Sequence, residues 1–586
     1  MKNAADWPPS FRTALIYLTV TTGIIATIAR FSYLGDRVLT PDEARNAWPA
    51  WVAADAGRNL HADPEAHHSS PLLNNLTWIT FWILGPSDTL ARIAPALIGS
   101  LAVMSPWFFR GWLGNAGALA GALLFMLNPW HVAFSRSSES TIFSAFLALA
   151  ALAGVDVIGQ ASRGKQAPES QSKILSPALA AALALFAASG PDFWSFALPI
   201  TAYALAVRHF SLPSTGRNGT KVTTVCDRKF AGVFAATLLL CSSALGARWE
   251  NLAGIGSGLT EWIEKWGTAA VNGYSWTWAF ERILNEQPLT LTMGLLGIIL
   301  LWRERGPEAE VARRRASALS LWTLWGFIVT IPGGRGPAGL LVMDIPLVLA
   351  AAWLLGRLVE LTTMSRDAQV WSRLVLPVTT VLASGWIWFL FHQHGRFPPG
   401  YGGWFVCFFA GASALGLLFL FKTRPGKGLV LASMMALCAA EMKGGWALSR
   451  RIYSEPIFFH EIGHPDVRLL QQDLRHWIAH SERSEDGIRL GAAGDASSAL
   501  LVHWYLRDFH MTSVAPGHES PVDGAALITW TAGTSYPPAE RLASVPYRVM
   551  TRRPSHSEAR SSDSVSRQAP VAPNADEVVL LWLPKT

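Results

Sequence analysis

Residues 91–158 read ARIAPALIGSLAVMSPWFFRGWLGNAGALAGALLFMLNPWHVAFSRSSESTIFSAFLALAALAGVDVI. Three apolar runs, at about 91–110, 114–132 and 140–158, follow one another with short connections. Each approaches the roughly 20 residues that an α-helix needs to cross a hydrocarbon core of about 30 Å. Working outward, similar runs centre on 13–30, 176–190, 193–208, 231–248, 288–303, 317–332, 338–356, 374–391, 404–421 and 428–446, giving about 13 spans. The apolar stretch Leu72–Leu84 is short and carries Asn74 and Asn75, so it reads as an interfacial or re-entrant helix.

Composition supports this. Over the 586 residues, 51% are hydrophobic and 15% charged, against about 25% charged in a soluble domain. A soluble enzyme, a disordered chain and a β-barrel porin are excluded. The expected fold is an all-α polytopic membrane protein over 1–447, followed by a small α/β domain over 448–586.

The net charge of +7 needs no nucleic-acid partner, because Lys and Arg collect in cytoplasmic loops. With the N-terminus inside, the inner loops hold Arg163, Lys165 and Lys173; Arg208, Arg217 and Lys221; Arg303, Arg305 and Arg313 to Arg315; Arg357, Arg366 and Arg373; and Lys422, Arg424 and Lys427. The short outer loops hold little beyond Arg136, Arg335 and Arg396. An odd span count then places the C-terminal domain outside, in a multi-pass protein of the cell membrane. The first apolar run lacks a small-residue cleavage site after it and reads as a span. Cys226, Cys241, Cys407 and Cys438 form neither a disulfide framework nor a zinc pattern.

Two long outer loops, at about 31–90 and 249–287, draw attention because long loops usually have a task. The first holds TPDEARNAWPAWVAADAG (Thr40–Gly57); the second holds Trp262, Trp266, Trp276 and Trp278 and suits a membrane interface. In the C-terminal domain, HPDVRLLQQDLRHWIAH (His464–His480) has helical periodicity and Ser498–Asp508 suggests a second helix. Strand-like runs lie at Ile488–Leu490, Ala525–Trp530, Tyr547–Met550 and Val578–Leu583, and residues 553–577 have the composition of a disordered insertion.

Several residues can carry chemistry. Asp42 and Glu43 are adjacent carboxylates that could act as a general base, or could simply open a helix behind an N-cap Thr40. Arg136 can pair with a phosphate through its guanidinium fork or snorkel to the interface. Arg335, in IPGGRGPAG, can sit in an anion-binding loop or an ordinary turn. Asp344 lies inside a span, where an ionisable residue is a functional candidate by default, and Glu441 and Lys443 fall in the last span. His67 and His68 are adjacent and lack an evident third ligand, while His476 and His480 have i, i+4 spacing without the Glu of a zincin; no metal site is assigned.

The order of landmarks then becomes informative: the early Asp42-Glu43 pair, the G-x-S-D-x-x-x-R run from Gly85 to Arg92, and the N-P…S-R turn from Asn128 to Arg136. In these the chain resembles the lipid-sugar-dependent glycosyltransferases of the GT-C superfamily, and more closely the family 39 (PMT/ArnT-like) membrane proteins. WYLRDF (Trp504–Phe509) and PDVRLL (Pro465–Leu470) resemble a prokaryotic flippase-activity-associated, Agl-type subgroup.

The resemblance implies transfer of a sugar from a polyprenyl-monophosphate donor to a protein, lipid or glycan acceptor on the outer face, with inversion. It aligns Asp42 with the catalytic base and Glu43 with its neighbour, and it makes Arg136 and Arg335 candidates for the donor phosphate and His68 a substrate contact. The chain departs from the family at Thr141, where many members carry an acid five residues after the Ser-Arg; Glu139 stands two residues earlier. The resemblance names no cofactor, and dependence on a divalent metal ion is left open. Two other classes stay in view: a lipid-linked glycan flippase, and a non-catalytic subunit of a glycan-assembly system.

Overall fold

The structure is a computed structural model that describes residues 9–55, 70–161, 169–209, 228–267, 283, 286–306, 309–330, 336–363, 461–481, 488–490, 496–509, 511–513, 526–530, 542–552 and 575–584. Ten of the expected spans coincide with helices. They are α1 (Pro9–Phe31), α4 (Asp88–Val103) with a 3₁₀ turn at Ser105–Phe109, α5 (Arg110–Leu127), α7 (Thr141–Ala161), α8 (Glu169–Ala187), α9 (Phe193–His209), α10 (Arg228–Ser242), α12 (Pro288–Arg303), α13 (Ala309–Thr330) and α14 (Gly336–Thr363). The expected spans at 374–391, 404–421 and 428–446 lie outside the described residues.

The helices bury an apolar core and also turn large apolar residues outward. On α1, Ile16, Leu18, Ile24 and Ile28 are exposed, as are Leu198 and Leu205 on α9 and Leu321 and Leu324 on α13. Such a continuous apolar surface needs an apolar surrounding, which a bilayer provides. Among the described residues, Asp88–Leu127 and Ala338–Leu358 are long and apolar enough to cross it by composition alone. The second is the hub of the bundle, with Val348 through Ala352 fully buried. Its neighbours approach through glycines. A Cβ on Gly297 of α12 would stand 2.3 Å from the Ala350 carbonyl oxygen, and one on Gly356 would stand 2.6 Å from Gly117 of α5. Close backbone contact of this kind replaces the hydrophobic drive that lipid removes.

Shorter helices occupy the connections: α2 (Pro41–Asp55), α3 (Pro71–Leu84), α6 (Pro129–Ser135) and α11 (Ala253–Gly267). At 14 residues α3 extends about 21 Å, too little to span. Pro71 starts it, and Gly85, at φ +83°, ends it. Its two buried asparagines bind a neighbouring segment rather than solvent: Asn75 donates to the Cys241 and Ser242 carbonyls, and Arg248 donates to Asn74. In α11, Trp262 donates to the Ser195 hydroxyl, tying that segment to α9. Trp276 and Trp278 lie outside the described residues.

The C-terminal region forms a six-stranded sheet of order β1-β5-β6-β4-β2-β3, with β1 at Glu461–Gly463, β2 at Ile488–Leu490, β3 at Met511–Ser513, β4 at Ala526–Trp530, β5 at Leu542–Arg552 and β6 at Ala575–Pro584. The pairs β2–β3 and β2–β4 are parallel, the others antiparallel. Helices α15 (Asp466–Ser481) and α16 (Ala496–Tyr505) accompany it. Strand β6 starts at Ala575, inside the stretch whose composition suggested disorder, because it pairs with β5 from Arg552↔Ala575 to Leu542↔Pro584. The rest of that stretch, 553–574, lies outside the described residues.

The segment from Val38 to Trp51 packs into this region. Val38, Leu39, Ala44, Ala47 and Trp51 share one apolar core with Val467, Leu470 and Leu474 of α15, Leu501 and Trp504 of α16, and Ile528 of β4. Gly463 permits the approach, since a Cβ there would lie 2.2 Å from the Leu39 carbonyl oxygen. Helix α2 is therefore held by the C-terminal sheet and its helices as well as by the bundle.

Candidate active site

Thr40, Pro41, Asp42 and Glu43 open α2 as a capping box. The Glu43 N–H donates to Thr40 Oγ1 at 3.2 Å, and the Thr40 N–H donates back to Glu43 Oε2 at 2.8 Å. Pro41 fills the first helical position, where its missing N–H costs nothing.

This geometry separates the two carboxylates. Glu43 is fully buried and accepts from Arg37 (2.5 Å), from Arg92 through both oxygens (2.8 Å each) and from the Ser138 N–H (3.0 Å). Burial pushes its carboxyl up, but the Arg37 and Arg92 guanidiniums outweigh burial and bring it down to about 2. It is a permanent anion with every lone pair in use. Asp42, by contrast, keeps 66% of its side chain exposed, with Arg45 at 3.4 Å. Of the two carboxylates, Asp42 is the one presented at the surface.

Arg92 is the organising cation. Its Nε and one terminal nitrogen grip Glu43, and its remaining N–H groups donate to the carbonyls of Leu34, Arg37 and Val38 at 2.8–3.1 Å. All five guanidinium donors are used, which fixes the chain that delivers Asp42. One turn earlier, Asp88 accepts from Trp504 Nε1 (2.8 Å), the Tyr505 hydroxyl (2.7 Å) and Arg468 (2.6 Å). Arg468 also donates to the Gly35 and Asp36 carbonyls, and Tyr505 accepts the Leu39 N–H. Burial and the Asp88 carboxylate hold the Tyr505 phenol well above its ordinary range, so it stays a neutral donor.

The turn at 136–141 closes the other side. Arg136 donates to the carbonyls of Ala29, Ser32 and Tyr33, capping the C-terminus of α1. Asn46 of α2 donates to the Ser138 carbonyl, and Glu139 is half-buried between Ser138 and Ser140. Thr141, at the position where many members of the resembled family carry an acid, donates its hydroxyl to Asp192 Oδ2 at 2.5 Å. Gly190, at φ +129°, lets the 188–192 loop come this close, because a Cβ there would meet Ser70 and Ser140.

Asp344 lies apart, deep in α14, where it accepts from Asn128 Nδ2 at 2.6 Å with His131 Nε2 at 3.6 Å. Asn128 in turn caps α6, and Trp130 donates to Glu286 at 2.6 Å. Arg335, His67, His68, Glu441 and Lys443 lie outside the described residues. Among the described residues no three His, Cys, Asp or Glu side chains converge as a metal-holding group. The residues that sequence reasoning missed are Arg37, Asp192 and the partners of Asp88. The signal for the last was present, since PDVRLL, WYLRDF and G-x-S-D-x-x-x-R were each noticed as motifs without a shared purpose.

The whole chain superimposes on the crystal structure of ArnT from Cupriavidus metallidurans bound to undecaprenyl phosphate, with a TM-score of 0.54, 15% identity, and coverage of 97% of this chain and 98% of that one. The chain has the GT-C fold. The apo form of the same ArnT follows at a TM-score of 0.48 and 16% identity, covering 98% of both chains. The Archaeoglobus fulgidus oligosaccharyltransferase AglB in complex with an inhibitory peptide and a dolichol-phosphate follows at 0.47 and 12%, covering 87% of this chain and 65% of that one. No protein-family model and no curated protein sequence matches the chain. Arg92 and Asp88 of α4 tie residues 34–43 and helices α15 and α16 to the bundle, beside the apolar core that these parts share.

Proposed function

We propose that this chain is a membrane glycosyltransferase that moves a sugar from a polyprenyl-monophosphate donor to an acceptor hydroxyl or amide at the outer face of the cell membrane. The observation that carries the proposal is the division of labour in Asp42-Glu43: one carboxylate is buried and neutralised to hold the backbone, and the other is presented to solvent from a fixed helix start. The undecaprenyl phosphate in the ArnT structure supports the donor class.

In this mechanism Asp42 takes the acceptor proton as the acceptor oxygen or nitrogen bonds to the anomeric carbon. The carbon–oxygen bond to phosphate breaks on the opposite face, inverting the centre, and polyprenyl phosphate departs with the electron pair. General-base assistance contributes about 10² to 10⁴ in rate. Arg335 is assigned to the leaving phosphate, while Arg136 is given a structural task at the end of α1. Asp192 supplies the second carboxylate through Thr141, in the place considered for Glu139. The proposed topology has about 13 spans, a cytoplasmic N-terminus and an external C-terminal α/β domain.

The test is donor turnover. Purified protein in nanodiscs is offered a panel of polyprenyl-monophosphate sugars with a mixed acceptor extract, and free polyprenyl phosphate is followed for wild type and Asp42→Asn. Turnover that disappears in the variant supports both enzyme class and base. Turnover that survives removes Asp42 as the base, and its absence with every donor removes the enzyme reading.

A further inference from the structure

At the end of the bundle remote from Asp42, α9 and α13 part around a cavity of about 270 Å³. Asp156 of α7, which borders this region, lies 15 residues beyond Thr141, or about 22 Å along the helix. The opening has a local cause. Pro199 lacks an N–H, which frees the Ser195 carbonyl, and Trp325 of α13 donates to it at 2.7 Å. The helices are thus stapled on one side of Pro199 and free to diverge on the other.

The walls of this cavity are amphipathic in a particular order. Along α13 the lining runs from polar to apolar, with Glu310, Arg313, Arg314 and Ser317 followed by Ala318 and the exposed Leu321, and Pro199 of α9 faces them. Charge accounting singles out one residue. Arg314 pairs with Glu310, and Arg315 is held by Asp156 at 3.7 Å and by the Trp112 ring at 5.2 Å, with Tyr203 also donating to Asp156. Arg313 is exposed and has no ion-pair partner among the described residues. One surplus cation above an apolar crevice, at the end that the basic loops place inside, matches a monoanionic phosphodiester with an attached hydrocarbon chain.

We propose that the α9–α13 cleft binds an anionic phospholipid, with the phosphodiester at Arg313 and an acyl chain along Leu321, Ala318 and Pro199. The site is separate from the sugar-transfer centre and does not depend on that activity. A basic pocket between helices serves such a lipid better than a flat basic surface does, because the chain contributes apolar burial while the arginine supplies charge.

The experiment measures lipid retention by native mass spectrometry on the purified full chain, titrated with phosphatidylglycerol or phosphatidylcholine. Phosphatidylglycerol is expected to be retained in preference, and Arg313→Gln is expected to weaken it about fivefold. Ala318→Trp, which fills the crevice and leaves the charge, weakens it as well. Arg305→Gln, an exposed arginine on the same face that does not line the cavity, leaves retention unchanged. Three results overturn the proposal: equal retention of the two lipids, an Arg305→Gln effect as large as that of Arg313→Gln, or full displacement by inorganic phosphate, which would make this a headgroup-sized anion site with no lipid specificity.

Discussion

Arg92 holds Glu43 through both carboxylate oxygens, each at 2.8 Å, from a position 49 residues away in sequence. That grip makes the Asp-Glu pair asymmetric, and the asymmetry has measurable consequences. Glu43→Gln leaves Arg37 and Arg92 facing a neutral amide in a buried site. Breaking a buried pair from one side costs about 3–5 kcal/mol, so the variant should show a lower melting temperature and reduced yield. Asp42→Asn, at an exposed position, should change stability by less than about 0.5 kcal/mol while reducing transfer by about 10² to 10⁴. Melting curves and donor turnover on the same preparations check both. Equal stability losses in the two variants would remove the distinction.

Glu43 also sets an acid limit. Its carboxyl lies at about 2 in the folded chain, below its ordinary 4.5. A lowered carboxyl stabilises the fold fully above its ordinary value, and that contribution is lost as pH falls from about 4.5 through about 2. The melting-temperature gap between wild type and Glu43→Gln should therefore be constant from pH 7 to pH 5 and close progressively toward pH 2. A gap that stays open at pH 2 would show that the pair contributes by packing rather than by charge.

Asp88 is the corresponding link to the C-terminal region, taking three donors from α15 and α16. In Asp88→Asn the charge opposite Arg468 is lost and an amide faces the Tyr505 hydroxyl. A hydrogen bond to a charged group is worth about 1.5–3 kcal/mol, and the C-terminal region should loosen by that order. Hydrogen exchange in residues 496–509 should rise, while exchange in the α12 and α14 core should not change. Protection that is unaltered at 496–509 would mean that the shared apolar core alone docks the two parts.

Much of this was legible beforehand, for identifiable reasons. Helices α7, α12 and α14 announced themselves because a helix that crosses a bilayer is apolar over its whole length, whether it faces lipid or, like α14, the centre of the bundle. The start of α2 was legible as a helix start because Thr40 and Pro41 carry local backbone preferences. The roles inside the Asp-Glu pair were not, since they depend on Arg92 and Ser138, which only tertiary structure brings to Glu43. Arg136 looked like a phosphate ligand by residue type, and its terminal nitrogens donate to the carbonyls at the end of α1, a demand invisible in sequence, while its Nε has no hydrogen-bond partner among the described residues. Strand β6 was missed at its start because pairing with β5 overrides the composition around Ala575.

Asp192 is the instructive omission, because no local signal in SGPDFW marks it. Its carboxylate reaches the N-terminal end of α7 from another loop, and the Thr141 hydroxyl binds it at 2.5 Å. The same turn donates the Ser138 N–H to Glu43 and receives the Asn46 side chain of the helix that carries Asp42. If Asp192 acts in transfer, its charge matters more than its hydrogen bond. Asp192→Asn should then reduce turnover by about tenfold to a hundredfold, with the donor KM rising. Thr141→Val removes the bond and keeps the charge, so it should reduce turnover only a few-fold. Matching losses in the two variants, accompanied by matching losses in melting temperature, would reduce Asp192 to a brace for the 188–192 loop and return Glu139 to consideration as the second acid.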